Sequence, residues 1–200
     1  MASELEEDRK LISILNFESD SFLQLFQLRE NEKLCDISLK VGDDSVKAHR
    51  VVLAAASQYF HAMFTGDMLE SRQDEVALHG VEFKALELLV NYCYSGKIEI
   101  TTKSVQSLLV TASLLQLIQV KDACVEFIQE RLHPNNCLGI LNFAEAFSCQ
   151  SLSQAADAYT VQNFKHVVNS DEFFALSYEN MSKLLTREDF NFRSEEQVFE

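Results

Sequence analysis

The sequence predicts an α+β domain, a small sheet flanked by helices, followed by an all-helical segment. Three observations carry that expectation. Between Cys35 and Val41, the apolar residues Ile37, Leu39 and Val41 alternate with Ser38 and Lys40, which is the period of a strand with one buried face. Elsewhere apolar residues recur at three and four positions over long runs, and only one Pro and five Gly interrupt the 200 residues. Beyond Pro134 no strand alternation is visible.

In chain order, Glu4, Glu6, Glu7 and Asp8 with Arg9 and Lys10 mark residues 1–18 as a disordered, solvated acidic tail. Ser19, Asp20 and Ser21 can cap a helix that carries Phe22, Leu23, Leu25, Phe26 and Leu28 to about Glu30. The strand from Cys35 to Val41 meets the turn residues Gly42, Asp43 and Asp44, so the chain folds back as a hairpin. After Ala48-His49-Arg50, the residues Val51, Val52, Ala54 and Ala55 form an apolar helix ending near Ser57. The Ser57 hydroxyl can cap the next helical turn, which holds Tyr59, Phe60 and Phe64.

Val76 to Leu78 is a short strand candidate, and Phe83, Leu86, Leu89, Val90 and Cys93 give a helix that stops at Ser95-Gly96. Ile98 and Ile100 around Glu99 read as one more short strand. Val105, Leu108, Leu109 and Ala112, then Val120, Ala123, Cys124, Phe127 and Ile128, predict a packed helix pair that completes a domain over residues 19–132.

A composition shift at His133-Pro134 opens a second unit over 133–200 with its own core, and Pro134 suits a helix start because its missing donor is not needed there. Leu138, Leu141, Phe143 and Phe147, then Leu152, Ala155, Ala156 and Tyr159, then Met181, Leu184 and Leu185 mark a helical array. Ser194-Glu195-Glu196-Gln197 is a capping box ahead of Val198-Phe199, so a further helix opens there and the natural chain is expected to continue.

Composition narrows the function classes. Lys and Arg number 17 against 31 Asp and Glu, a net charge of −14, and polyanions such as nucleic acid should be repelled. There is no apolar run of about 18 residues and no basic-then-apolar leader, so neither a membrane span nor a secretory signal is expected. The five cysteines, at 35, 93, 124, 137 and 149, form no Cys-x-x-Cys pair. Their odd number argues against a disulfide framework, and Cys93, Cys124 and Cys137 sit among apolar neighbours as small hydrophobes. A reducing, cytoplasmic location is expected, with the nucleus as a second possibility.

Catalytic signatures are missing. The five histidines show no paired spacing, and His133 with Cys137, four apart, supplies only two of the ligands a structural zinc needs. Neither a Gly-x-Ser-x-Gly elbow nor a phosphate-cradling Gly-rich loop occurs. His49 reads as a structural histidine at the hairpin-to-helix junction. No catalytic residue, metal or cofactor is expected.

The order Cys35-Asp36, Ala48-His49-Arg50 and Ser57-Gln58-Tyr59-Phe60 resembles the signature of the BTB (POZ) domain. Downstream, Leu114-Leu115-Gln116-Leu117, Glu126-Phe127, and Asn135-Asn136-Cys137-Leu138-Gly139-Ile140 with Phe143-Ala144-Glu145 resemble the end of that domain and the start of the BACK domain in Kelch-like proteins. The resemblance spans roughly Leu34 to Glu200.

It implies a homodimer in which the N-terminal helix packs on the partner subunit through Phe22, Leu23, Leu25 and Phe26, with Asp36 and Arg50 fixing the two-fold contact. The competing readings are a local packing helix and a solvated Asp at a strand start. It also implies binding of cullin-3 through Ala62, Met63 and Phe64 and through Met68-Leu69-Glu70, which matches the family's hydrophobic-x-Glu motif with Leu69 larger than the usual Ser. Met68 and Glu70 carry that motif. Phe143, Phe147 and Cys149 fall in the region called the 3-box, where the two Phe read equally well as core.

The function so implied is a non-catalytic, substrate-recruiting adaptor of a cullin-3 RING ubiquitin ligase, with the protein substrate held by a C-terminal Kelch propeller beyond these residues. Two alternatives remain at this level: a BTB transcriptional regulator that recruits corepressor, and an actin-associated Kelch scaffold.

Overall fold

The computed structural model describes residues 12–66 and 72–186. Expectations for the acidic residues 4–10, for Met68, Leu69 and Glu70, and for Ser194 to Phe199 lie outside the described residues.

The sheet is a hairpin with a third strand added by a crossover. β1 (Ile37–Val41) pairs antiparallel with β2 (Asp44–Ala48), with Leu39 opposite Val46, and parallel with β3 (Glu75–Ala77), with Leu39 opposite Val76. Gly42 adopts φ 61° in the hairpin turn, a conformation that glycine takes without a Cβ penalty. The order β2-β1-β3 places β1 centrally. Its inward residues Ile37 and Leu39 are buried, as alternation requires.

Between β2 and β3 run α2 (Arg50–Ala56) and α3 (Gln58–Thr65), separated by Ser57 in extended conformation. The Ser57 hydroxyl accepts the Phe60 N–H at 3.2 Å and donates to the Leu115 carbonyl at 2.6 Å, so the expected cap also ties α3 to the end of α5. α4 (Phe83–Ser95) buries Leu86, Leu89, Val90, Cys93 and Tyr94 and ends at Gly96 in the left-handed region, φ 64°. α5 (Val105–Leu114) and α6 (Ile118–Gln129) follow as the predicted packed pair.

Two expectations are corrected here. α1 (Phe17–Glu30) begins inside the segment expected to be a disordered tail and ahead of the expected caps. Its N-cap is Asn16 at φ 64° without a side-chain cap bond, and Ser21 lies within the helix, donating back to the Phe17 carbonyl at 2.7 Å. Residues 97–100 form no strand: Ile98 and Ile100 pack against the core, but no described strand offers the backbone partners that would make one.

The helical array is α7 (Cys137–Ala146), α8 (Gln150–Gln162), α9 (Phe164–Val167), α10 (Asp171–Phe174) and α11 (Tyr178–Leu185). Pro134 opens a turn, and α7 itself starts at Cys137 once the His133 carbonyl has accepted the Asn136 and Cys137 amides. Two apolar clusters exist, but their border is not at His133-Pro134. Ile140, Ala144, Cys149, Leu152 and Ala156, from α7 and α8, belong to the first cluster with the sheet and α2–α6. The second cluster is small, holding Cys137, Leu138, Phe164, Val167 and Leu184.

Candidate partner-binding surfaces

α1 mixes apolar and polar residues around its circumference, and its apolar side chains differ in burial along its length. Leu25 and Phe26 turn inward against the core, Phe26 meeting the Tyr94 ring edge-on at 6.3 Å. Phe22 and Leu23 stay 43% and 52% exposed. Phe22, Leu25 and Phe26, at three- and four-residue spacing, lie on one side of α1, with Leu23 at its flank; burial falls off toward the helix start.

Below α1 lies a buried polar network that no sequence pattern pointed to. Arg29, 8% exposed, donates from Nε to the Lys47 carbonyl at 3.1 Å and from Nη1 to Asn91 Oδ1 at 2.5 Å. Its guanidinium carbon stands 5.4 Å from the Tyr94 ring centre and 6.0 Å from that of Phe26, within cation–π reach. Burial pushes the Tyr94 phenol up to about 12, so the hydroxyl keeps its hydrogen.

That oxygen accepts the His49 N–H at 2.8 Å and lies 2.9 Å from His49 Nδ1. His49 Nε2 lies 2.9 Å from the Lys33 carbonyl, which can only accept. Nε2 therefore carries a hydrogen, and Tyr94 donates to Nδ1. His49 is a bracket between α1's exit, the hairpin and α4, as the structural reading of it required.

Asp36 and Arg50 meet within one protomer. The Asp36 carboxylate accepts the Arg50 backbone N–H at 2.8 Å at the start of α2, while Arg50 Nε donates to the Asp36 carbonyl at 3.1 Å and Nη2 to the Gln73 carbonyl. The Arg50 guanidinium also stands 5.2 Å from the centre of the Phe64 ring. The pair thereby joins the strand start, α2 and α3.

Of the residues assigned to a cullin contact, Ala62 is exposed, Met63 is buried, and Phe64 is partly buried and stacked on Phe60 at 5.6 Å. At the junction with the helical array, Phe143 is partly buried and Phe147 is 52% exposed, their rings 4.9 Å apart. Cys149 is buried but lines a groove of about 350 Å³ with Leu109, Val110, Leu114, Lys121 and Phe147. The structure thus brings Phe143, Phe147 and Cys149 together beside α5, at a distinct place from the side of α1. Leu109, Val110, Leu114 and Lys121 were not foreseen, because their helical spacing reads equally well as core.

A second groove, of about 480 Å³, lies beside Phe22 and is lined by Ala55, Ala56, Tyr92, Gln116 and Ile118. Neither groove collects catalytic groups. Among the described residues, no three His, Cys, Asp or Glu side chains cluster as metal ligands. All five cysteines are free, and burial pushes the Cys93 and Cys124 thiols up to about 12 and about 11, leaving them protonated and unreactive at neutral pH. No described helix is long and apolar enough to cross a membrane.

Comparison with known families decides what kind of module presents these surfaces. The BTB/POZ domain matches residues 25–132, more than half of the chain. The chain belongs to the BTB/POZ family. Directly after the BTB domain, residues 137–200 match the BACK domain, described as BTB And C-terminal Kelch, and the tandem is consistent with a Kelch-like BTB–BACK protein. Among solved structures, the chain resembles the BTB domain of zebrafish PATZ1, with 26% identity, a TM-score of 0.55, and coverage of 61% of this chain and 99% of that one. BTB and BACK domains are typically non-catalytic protein-interaction modules.

Proposed function

We propose that this chain is the substrate-recruiting adaptor of a cullin-3 RING ubiquitin ligase, acting as a homodimer in which catalysis resides in the partner. The observation that carries the reading is the unbroken tandem of BTB and BACK domains, 25–132 and 137–200, with the Phe147–Cys149 groove at their junction. Cullin-3 would meet the α3 end at Ala62, Met63 and Phe64, the following Met68 and Glu70, and the junction at Phe143, Phe147 and Cys149. A thioether offers adaptable apolar contact and a rim carboxylate fixes register. Two copies joined along α1 present two arms, raising effective substrate concentration. The protein substrate belongs to a Kelch propeller beyond these residues, and the site of action is the cytoplasm.

Calorimetry with the cullin-3 N-terminal domain tests this. Met68→Ala combined with Glu70→Ala should weaken binding severalfold or more while the dimer stays intact; unchanged affinity would remove the motif from the reading. A second reading, recruitment of a corepressor peptide, draws on the groove beside Phe22. It predicts no cullin-3 binding by the parent chain.

A further inference from the structure

Two grooves abut along the outer stripe of α5. The groove of about 350 Å³ that holds Lys121, Leu114 and Cys149 shares Gly80, Val110 and Phe147 with one of about 260 Å³ that holds Glu82, Gln106 and Ser107. Lys121 lines only the first and Glu82 only the second, so the shared apolar wall has a cation on one side and a carboxylate on the other. Neither charge makes an ion pair or a side-chain hydrogen bond among the described residues, and Glu82, at the N-cap of α4, makes no cap bond. From Gln106 to Leu114, α5 rises about 12 Å, a distance that about four extended residues span.

The aromatic residue of that wall has a counterpart elsewhere in the molecule. The α5–α6 and α7–α8 turns are built alike: Gln116 and Ser148 take φ 52° and 53°, and the next residue, Leu117 or Cys149, donates its N–H to the Ala112 or Ala144 carbonyl at 2.9 or 2.7 Å. The residue just before the left-handed one is Leu115 in the first turn and Phe147 in the second. Leu115 is fully buried, and its carbonyl receives the Ser57 hydroxyl from the start of α3. Phe147 is 52% exposed, though its ring is held 4.9 Å from that of Phe143. One turn is covered by another element of the chain, and the other presents an ordered aromatic ring to solvent.

A net charge of −14 repels acidic segments from most of this surface, so an unpaired lysine beside an apolar wall is a local exception. We propose that the partner segment taken up here is extended and polarised: it lays an apolar side chain against Phe147 and Val110, brings a carboxylate to Lys121, and brings a cation to Glu82. Opposite charges at the two rims fix the direction in which the segment lies along α5. This deepens the cullin-3 reading above and rests on it.

Calorimetry of the 200-residue chain with the cullin-3 N-terminal domain, at low and high salt and with a thermal melt of each variant, tests it. Lys121→Glu should weaken binding about fivefold at low salt and less at high salt, and Glu82→Lys should act in the same direction. Phe147→Ala should cost about tenfold. Lys103→Glu changes the net charge by the same amount at an exposed position lining neither groove, and should leave the affinity within about twofold of the parent.

Should Lys121→Glu fail to fold, Lys121→Met keeps the stem, drops the charge, and should weaken binding about threefold. A Lys121 variant no weaker than Lys103→Glu, or an unchanged affinity in Glu82→Lys, overturns the polarised segment. A parent chain that does not bind the cullin-3 domain overturns the cullin-3 reading itself, which is a different result.

Discussion

The first core is closed at its two ends by opposite means. At the α1 end, a buried guanidinium, a phenol and an imidazole fasten the helix through directed bonds. At the other end, α7 and α8 fasten themselves by aliphatic contact, with Ala144, Leu152 and Ala156 fully buried in the same cluster as the sheet. The contrast separates two jobs. Apolar burial makes the BACK helices part of one cooperative body with the BTB domain, while polar bonding fixes an orientation with little area behind it.

The strongest way to break this comparison is at the aliphatic end. Leu152→Ala should destabilise the chain by about 2–5 kcal/mol, the usual cost of a fully buried leucine. Because Leu152 belongs to the shared cluster, urea unfolding should still show one transition when followed both in the sheet and in α8. Two separated transitions would mean that the junction is not cooperative.

A smaller effect sharpens it from the polar side. Glu172 of α10 reaches α7 and accepts the Leu138 and Gly139 amides at 3.2 and 3.1 Å, capping a helix start whose own N-cap residue, Asn136, makes no cap bond. Glu172→Ala should cost about 1–2 kcal/mol in denaturant unfolding. A Cβ at Gly139 would come within 2.6 Å of Glu172 Oε1, so Gly139→Ala displaces the same carboxylate. The double variant should therefore lose less than the sum of the singles, and simple additivity would show that the cap is not what the glycine serves.

The smallest effect is in alkali. Burial raises the Cys93 thiol from 9.0 to about 12, so the folded state holds a proton that the unfolded state releases. Stability from this group is full below pH 9.0 and is lost as pH climbs toward about 12. Cys93→Ala should flatten that decline when unfolding is compared at about pH 8 and about pH 10. An equal slope in the variant would assign the decline to other groups, Tyr94 among them.

What sequence reasoning could see was what repeats. Alternation located β1, helical spacing located α4 to α6, Ser57 signalled a cap, and Gly96 signalled a stop, because each is a local preference expressed within a few residues. The start of α1 was missed because Asn16 caps without a side-chain bond and takes a left-handed backbone. Ile98 and Ile100 carry strand alternation, yet a strand needs a neighbour and none of the described strands pairs there. Arg29 was invisible for a deeper reason: arginine is a surface residue by habit, and its side-chain partner Asn91 stands far along the chain. The domain border misled similarly, since Pro134 marks a turn in the backbone and says nothing about which helices share a core. At the junction with the helical array, the resemblance to the start of the BACK domain pointed to Phe143, Phe147 and Cys149, but the groove wall opposite them, Leu109, Val110 and Leu114 on α5, reads as ordinary core.

The central strand is joined to its neighbours across two very different lengths of chain. Leu39 finds Val46 after a single tight turn, but finds Val76 only after α2 and α3 have been laid down between them. Local closure is entropically cheap and distant closure is not. The hairpin is therefore the cheaper of the two pairings to close, and the pairing with β3 the costlier.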